Sequence, residues 1–152
     1  TLNKLIIMTT INPYLTFSGN CEEAFNFYKS VFGGEFPYVG RFKDMPAEEG
    51  MPPVSDEDKE KIMHISLPIS KETVLMGSDT SEAFSPLPTI GNNISISVNT
   101  DSIDDVTRIF NELSKGGKIT MALNKTFWGA YFGMFTDKFG INWMINCDLK
   151  EE

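Results

Sequence analysis

His64 is the single imidazole of the 152-residue chain, and it sits in the run Met63-His64-Ile65-Ser66-Leu67. Successive side chains of a strand point to opposite faces, so this alternation sets His64 and Ser66 against Met63, Ile65 and Leu67. With the apolar face packed on a helix, His64 and Ser66 point into a cavity. There the imidazole could serve as a general base or as one metal ligand. Acid–base work also needs an oriented partner. The plainer reading is a hydrogen-bonded His that tunes a pocket or a sheet interface.

Other polar residues alternate in the same way. Asn12, Tyr14 and Thr16 oppose Pro13, Leu15 and Phe17, while Asn93, Ser95 and Ser97 oppose Ile94, Ile96 and Val98. Each set reads as the ligand-facing side of a strand whose other side packs on a helix. Trp128 precedes Gly129 at a strand entrance, where its ring would overhang a pocket and stack on a flat apolar ligand. Methionines such as Met76 and Met144 read as core filling before they read as soft-metal ligands.

Cys21 opens a predicted helix, whose dipole lowers a thiol pKa, but Glu22 and Glu23 act in the other direction. Cys147 reads as a small apolar core residue. Two cysteines so far apart make no disulfide framework, and a reducing cytoplasm is the expected location. A zinc ribbon needs four soft ligands and most catalytic zinc sites need two or three imidazoles, which this composition does not offer.

Thirteen Lys and Arg against 21 Asp and Glu give a net charge of −8. Nucleic-acid binding requires a cluster of cations to release counterions from phosphates, and the chain has none. The acidity is local. Asp44, Glu48, Glu49, Asp56, Glu57, Asp58 and Glu60 stand against Lys59 alone in residues 44–60, a Pro- and Gly-bearing insertion expected to be a solvated, mobile loop. It lacks the ligand spacing of a calcium loop. No membrane span is expected, since the apolar start Leu5 to Met8 falls far short of the ~20 residues required. Residues 1–7 read as a leader or cloning remnant, with Met8 as a native start.

These residues need elements to hold them, and the elements come twice. Ala24, Phe27, Tyr28 and Val31 mark one helix face, and Val106, Ile109, Phe110 and Leu113 repeat its spacing. Gly33-Gly34 and Gly116-Gly117 stop the two helices; Asn20 and Asp101 or Ser102 cap them. Strands are predicted at 12–17, 36–42, 61–69 and 73–78, then at 93–98, 118–123, 130–136 and 141–147. The expected fold is α+β. It is a single domain over 8–150 of two βαβββ repeats, about 10–80 and 92–148, whose sheets curl around a shared cavity.

At this point the chain resembles the vicinal-oxygen-chelate superfamily, the glyoxalase and bleomycin-resistance fold, and within it the PhnB-like proteins. The resemblance lies in Asn12-Pro-Tyr-Leu-Thr-Phe-Ser-Gly19, Glu23-Ala24 through Phe27-Tyr28 to Val31-Phe32-Gly33-Gly34, Ile62-Met63-His64-Ile65 and Leu75-Met76-Gly77-Ser78-Asp79. It continues through Thr126-Phe127-Trp128-Gly129 and Asp137-Lys-Phe-Gly-Ile-Asn-Trp143-Met144-Ile145.

Enzymes of this superfamily hold a divalent cation with His or Glu from the first and last strands of both units. The resemblance places those positions at Asn12, Met76, Asn93 and Met144. Amide and thioether groups are poor ligands for hard divalent cations, so no metal and no cofactor is expected. A methyltransferase role sometimes attached to PhnB-like proteins finds no Gly-rich strand–turn–helix here. The expectation is metal-independent binding of a small molecule between the repeats through Asn12, Tyr14, His64, Met76, Asn93, Ser95, Trp128 and Met144. The alternatives are a metal-dependent lyase, isomerase or dioxygenase-like enzyme using His64, and a structural dimer without ligand. The resemblance also implies a homodimer.

Overall fold

The computed structural model describes residues 9–150, so the expected leader at 1–7 lies outside the described residues. The chain divides after Pro88 into two compact units. In the first, β1 (Tyr14–Phe17), α1 (Cys21–Phe32), β2 (Tyr38–Arg41), β3 (Ile62–Pro68) and β4 (Val74–Asp79) follow in order. In the second, β5 (Ile96–Thr100), α2 (Ile103–Leu113), β6 (Lys118–Lys125), β7 (Ala130–Thr136) and β8 (Asn142–Asp148) repeat the succession. Each unit is βαβββ. The sheets run β1-β4-β3-β2 and β5-β8-β7-β6, and in each the first strand lies parallel to the last.

In the first unit α1 buries Cys21, Ala24, Phe25, Tyr28 and Val31. The buried stripe is therefore Cys21, Ala24, Phe25 and Tyr28, again at i, i+3, i+4, i+7. Phe25 takes the core place expected for Phe27, which is half-buried. Its ring packs edge-on to Phe17 and Tyr28 at 6.3 and 5.7 Å between centroids. Room for it comes from Gly77, where a Cβ would stand 2.7 Å from the Phe25 ring and 2.8 Å from the Leu15 carbonyl.

The cap of α1 comes from afar. Asn20 occupies the cap position without a side-chain bond. Asp79, buried at the end of β4, accepts from the Gly19 and Cys21 backbone N–H groups at 2.9 and 3.0 Å through Oδ1. Its Oδ2 accepts from Ile62 N–H at 2.9 Å. One carboxylate thus ties a helix start to two strands, meeting donors that the helix geometry leaves unpaired.

In the second unit α2 buries Val106, Ile109, Phe110 and Leu113, the stripe read from the sequence, and Ser102 caps it by accepting from Asp105 N–H at 3.0 Å. Buried Asp137 holds the β7–β8 turn, accepting from Phe139 and Ile141 N–H groups and from Trp143 Nε1 at 2.8, 3.0 and 2.8 Å.

Two expectations about strands need correction. β5 begins at Ile96, so Asn93 and Ser95 precede the strand and Ile94 is exposed. The parallel ladder can start only where β8 supplies a partner, and its first pair is Ile96 with Trp143. Ahead of it, Asn142 Nδ2 donates to the Gly91 and Ile94 carbonyls instead. The β2–β3 register also shifts between Gly40 and Arg41, which pair with His64 and Ile62. This bulge leaves Met63 half-buried and gives the core place to Ile62.

Residues 44–60, expected as a solvated, mobile loop, are anchored at the stem. A 3-10 turn over Phe42–Asp44 is joined to the returning chain by Phe42 N–H to Lys61 O and Lys43 N–H to Lys59 O. Buried Asp58 accepts from Lys61 Nζ at 2.7 Å and Ser81 Oγ at 3.0 Å.

Candidate functional site

The face of the first sheet that does not meet α1 carries the chemistry. Its central row reads Tyr14, Met76, Ser66 and Tyr38 across β1, β4, β3 and β2, set by the pairs Tyr14–Met76, Ser66–Met76 and Tyr38–Ser66. The next row holds Thr16 opposite Ser78 and Gly40 opposite His64. Ile65 and Leu67, the neighbours of His64 and Ser66, are buried on the other face.

Both edge tyrosines lean inward over this face. The Tyr14 hydroxyl lies 3.2 Å from His64 Nδ1, and the two rings are 5.6 Å apart at 33°. With the imidazole proton on Nε2 the phenol donates to Nδ1, and Nε2–H is the donor turned to a ligand. On the opposite edge, the Tyr38 ring lies 5.8 Å from that of His64. It crosses Gly40 so closely that a Cβ there would stand 2.6 Å from the Tyr38 hydroxyl. Tyr14 and Tyr38 are each about half exposed, at 47% and 49%. The result is an imidazole fixed by one phenol and flanked by two aromatic rings, open to solution.

The other expected site residues fall as follows. Met76 joins this cluster through its register with Tyr14 and Ser66. Asn12 precedes β1, and its Oδ1 accepts from Val74 N–H at 2.9 Å, so the side chain fixes the start of β4. In the second unit, Met144 is half-buried between Ser97 and Met134 in register. Trp128 sits in the β6–β7 turn, 57% exposed, edge-on to Phe127 and Phe132 at 5.0 and 5.9 Å. Asn93 and Ser95 are exposed ahead of β5. Tyr38 and Gly40 were not singled out from the sequence; the Tyr-x-Gly spacing, which lets a ring fold over a strand neighbour, is the signal that marks them.

The positions where the superfamily carries its divalent cation do not fit one here. The Asn12 carbonyl is already committed to a backbone N–H, and Met76 and Met144 offer only thioethers. Among the described residues no three His, Cys, Asp or Glu side chains group to hold a metal ion. Cys21 is also set apart from thiolate chemistry. Burial pushes its thiol pKa far up, with the Asp79 and Glu22 carboxylates adding to the effect.

The family model of the glyoxalase/bleomycin resistance protein/dioxygenase superfamily matches residues 10–145, and the chain belongs to that superfamily. It is 32% identical to Protein YjdN of Escherichia coli K12 over 141 residues, 90% of this chain and 93% of that protein. Among solved structures it is similar to protein PA1353 of Pseudomonas aeruginosa, with 43% identity, a TM-score of 0.80 and coverage of 93% and 99% of the two chains. The PhnB protein of Bacillus cereus shares the fold at 24% identity and a TM-score of 0.71, over 91% and 99%.

Proposed function

We propose that the open face of the first sheet binds a small planar molecule carrying an anionic or carbonyl oxygen, without the help of a metal ion. The observation that carries this reading is the 3.2 Å contact between Tyr14 Oη and His64 Nδ1. A free imidazole rotates and exchanges tautomers; one whose Nδ1 accepts a phenol proton presents Nε2–H in a fixed direction. Tyr14 and Tyr38 offer ring faces for stacking on either side, and buried Ser66 lies between Tyr38 and Met76 in register beneath them.

The reading is of binding and not of turnover. The His–Tyr pair has the oriented partner that a base needs, but among the described residues no third side chain hydrogen-bonds to either member to complete a nucleophile or an acid–base relay. The fold is shared by many chemistries, so function is argued from this cluster alone. Homodimerisation, implied by the superfamily, is part of the same proposal and is checked by sedimentation equilibrium.

Benzoate is the simplest probe. Titration of metal-stripped protein should shift the ring signals of His64, Tyr14 and Tyr38 saturably, with a weaker response to benzyl alcohol. Binding that appears only on adding Mn²⁺ or Zn²⁺ would overturn the proposal in favour of a metal-dependent site.

A further inference from the structure

The insertion between β2 and β3 builds a cavity whose lining shares no residue with the His64 cluster. Its volume is about 570 Å³, within the range of small-molecule pockets. The walls are largely apolar: Phe42 and Phe84 lie parallel, 6.1 Å between centroids and 1° between planes, with Met45, Met51 and Val54 beside them. Pro46, Pro52 and Pro53 also line it. Prolines restrict the backbone before any ligand arrives, which lowers the ordering cost of binding. The stem bonds to Lys59 and Lys61 and the buried Asp58–Ser81 contact hold this wall in place.

The charge of the lining selects the ligand. Lys43 and Lys59 reach the cavity, but each is already paired, with Glu60 at 2.8 Å and Asp56 at 2.6 Å. Glu48 also lines it, and among the described residues it makes no ion pair. Glu49 and Glu57 add charge of the same sign nearby in the chain. Both lining lysines carry an internal pair, and the insertion as a whole has a surplus of negative charge. An anion would meet repulsion, whereas a cation gains from the local field and from the Glu48 carboxylate.

We infer that this cavity binds a hydrophobic organic cation, an ammonium group on an aromatic or aliphatic body. The apolar body fills the Phe42–Phe84 side and the ammonium group turns to Glu48. The acidity of the insertion is thereby a recognition feature and not only a means of solvation.

Three probes with one apolar body separate the terms: 3-phenylpropylammonium, 3-phenylpropan-1-ol and 3-phenylpropanoate, titrated into the full chain at low salt and followed by backbone amide shifts. The ammonium should bind saturably, with shifts in residues 42–59 and at Phe84, about tenfold tighter than the alcohol. The propanoate should bind more weakly than either. Glu48→Gln, on an exposed side chain, should remove most of the preference for the ammonium and leave the alcohol unchanged. Equal affinity for ammonium and alcohol, tighter propanoate, or shifts confined to Tyr14, Tyr38 and His64 would overturn the assignment.

Discussion

Tyr14 Oη and His64 Nδ1 stand 3.2 Å apart although 50 residues separate them in the chain. The contact spans the sheet diagonally, because β4 lies between β1 and β3. It supplies the lone imidazole with the partner that its local sequence did not reveal.

Removing that hydroxyl should free the ring without harming the fold. Tyr14→Phe keeps the aromatic face and loses one partly exposed hydrogen bond, at about 1 kcal/mol or less. The expected outcome is a mixed tautomer population for His64, read from its imidazole ¹⁵N shifts, with a nearly unchanged Tm. A tautomer ratio identical to wild type would show that the contact does not orient the ring.

Two of the closely overlaid glycines, Gly40 and Gly77, should respond differently to a methyl group. At Gly40 the obstacle is the half-exposed Tyr38 ring, which can swing away. At Gly77 the obstacles are the fully buried Phe25 and a backbone carbonyl, which cannot. Gly77→Ala should cost about 1–3 kcal/mol by overpacking. Gly40→Ala should cost less and instead shift the His64 ring signals as Tyr38 leaves. Denaturant unfolding and one-dimensional NMR check both.

Asp79 should be among the least replaceable polar residues. Asp79→Ala leaves three backbone donors, at Gly19, Cys21 and Ile62, without their acceptor. At about 1 kcal/mol or more for each, the loss should be about 3 kcal/mol or greater. Urea unfolding should show it as a lowered midpoint with little change in slope.

Acid should release the insertion. The Lys61 ammonium, with the Ser81 hydroxyl, holds the Asp58 carboxyl below its ordinary range. A carboxyl that is lowered on folding stabilises fully above its unfolded pKa of about 4 and ceases to do so as pH falls through the folded value. Asp58→Asn should therefore lower Tm at pH 7, and the difference from wild type should shrink below about pH 4. A difference constant over that range would mean that the pair contributes nothing.

Much of the fold was legible because its signals are local. The stripe Val106, Ile109, Phe110 and Leu113 and the bounds of β7 follow from periodicity alone. The shift from Phe27 to Phe25 was not, because both choices give a helical spacing and only the space above Gly77 decides between them. The start of β5 was hidden for a related reason: it depends on where β8 begins, and on an Asn142 side chain that occupies the Gly91 and Ile94 carbonyls. The cap of α1 by Asp79 joins residues too far apart for any window of sequence to connect.

The site was legible in part. Alternation sets His64 and Tyr14 opposite buried neighbours, but their meeting across β4 is a matter of sheet order. Tyr38 escaped notice because a tyrosine at a strand edge is unremarked until the glycine beneath it is seen.

The most direct test of the central claim is the affinity of metal-stripped protein for benzoate, wild type against His64→Leu, measured by NMR titration in a chelating buffer. Loss of a hydrogen bond to an anionic oxygen should weaken binding by about tenfold or more. Unchanged affinity in the His64→Leu protein would contradict the account.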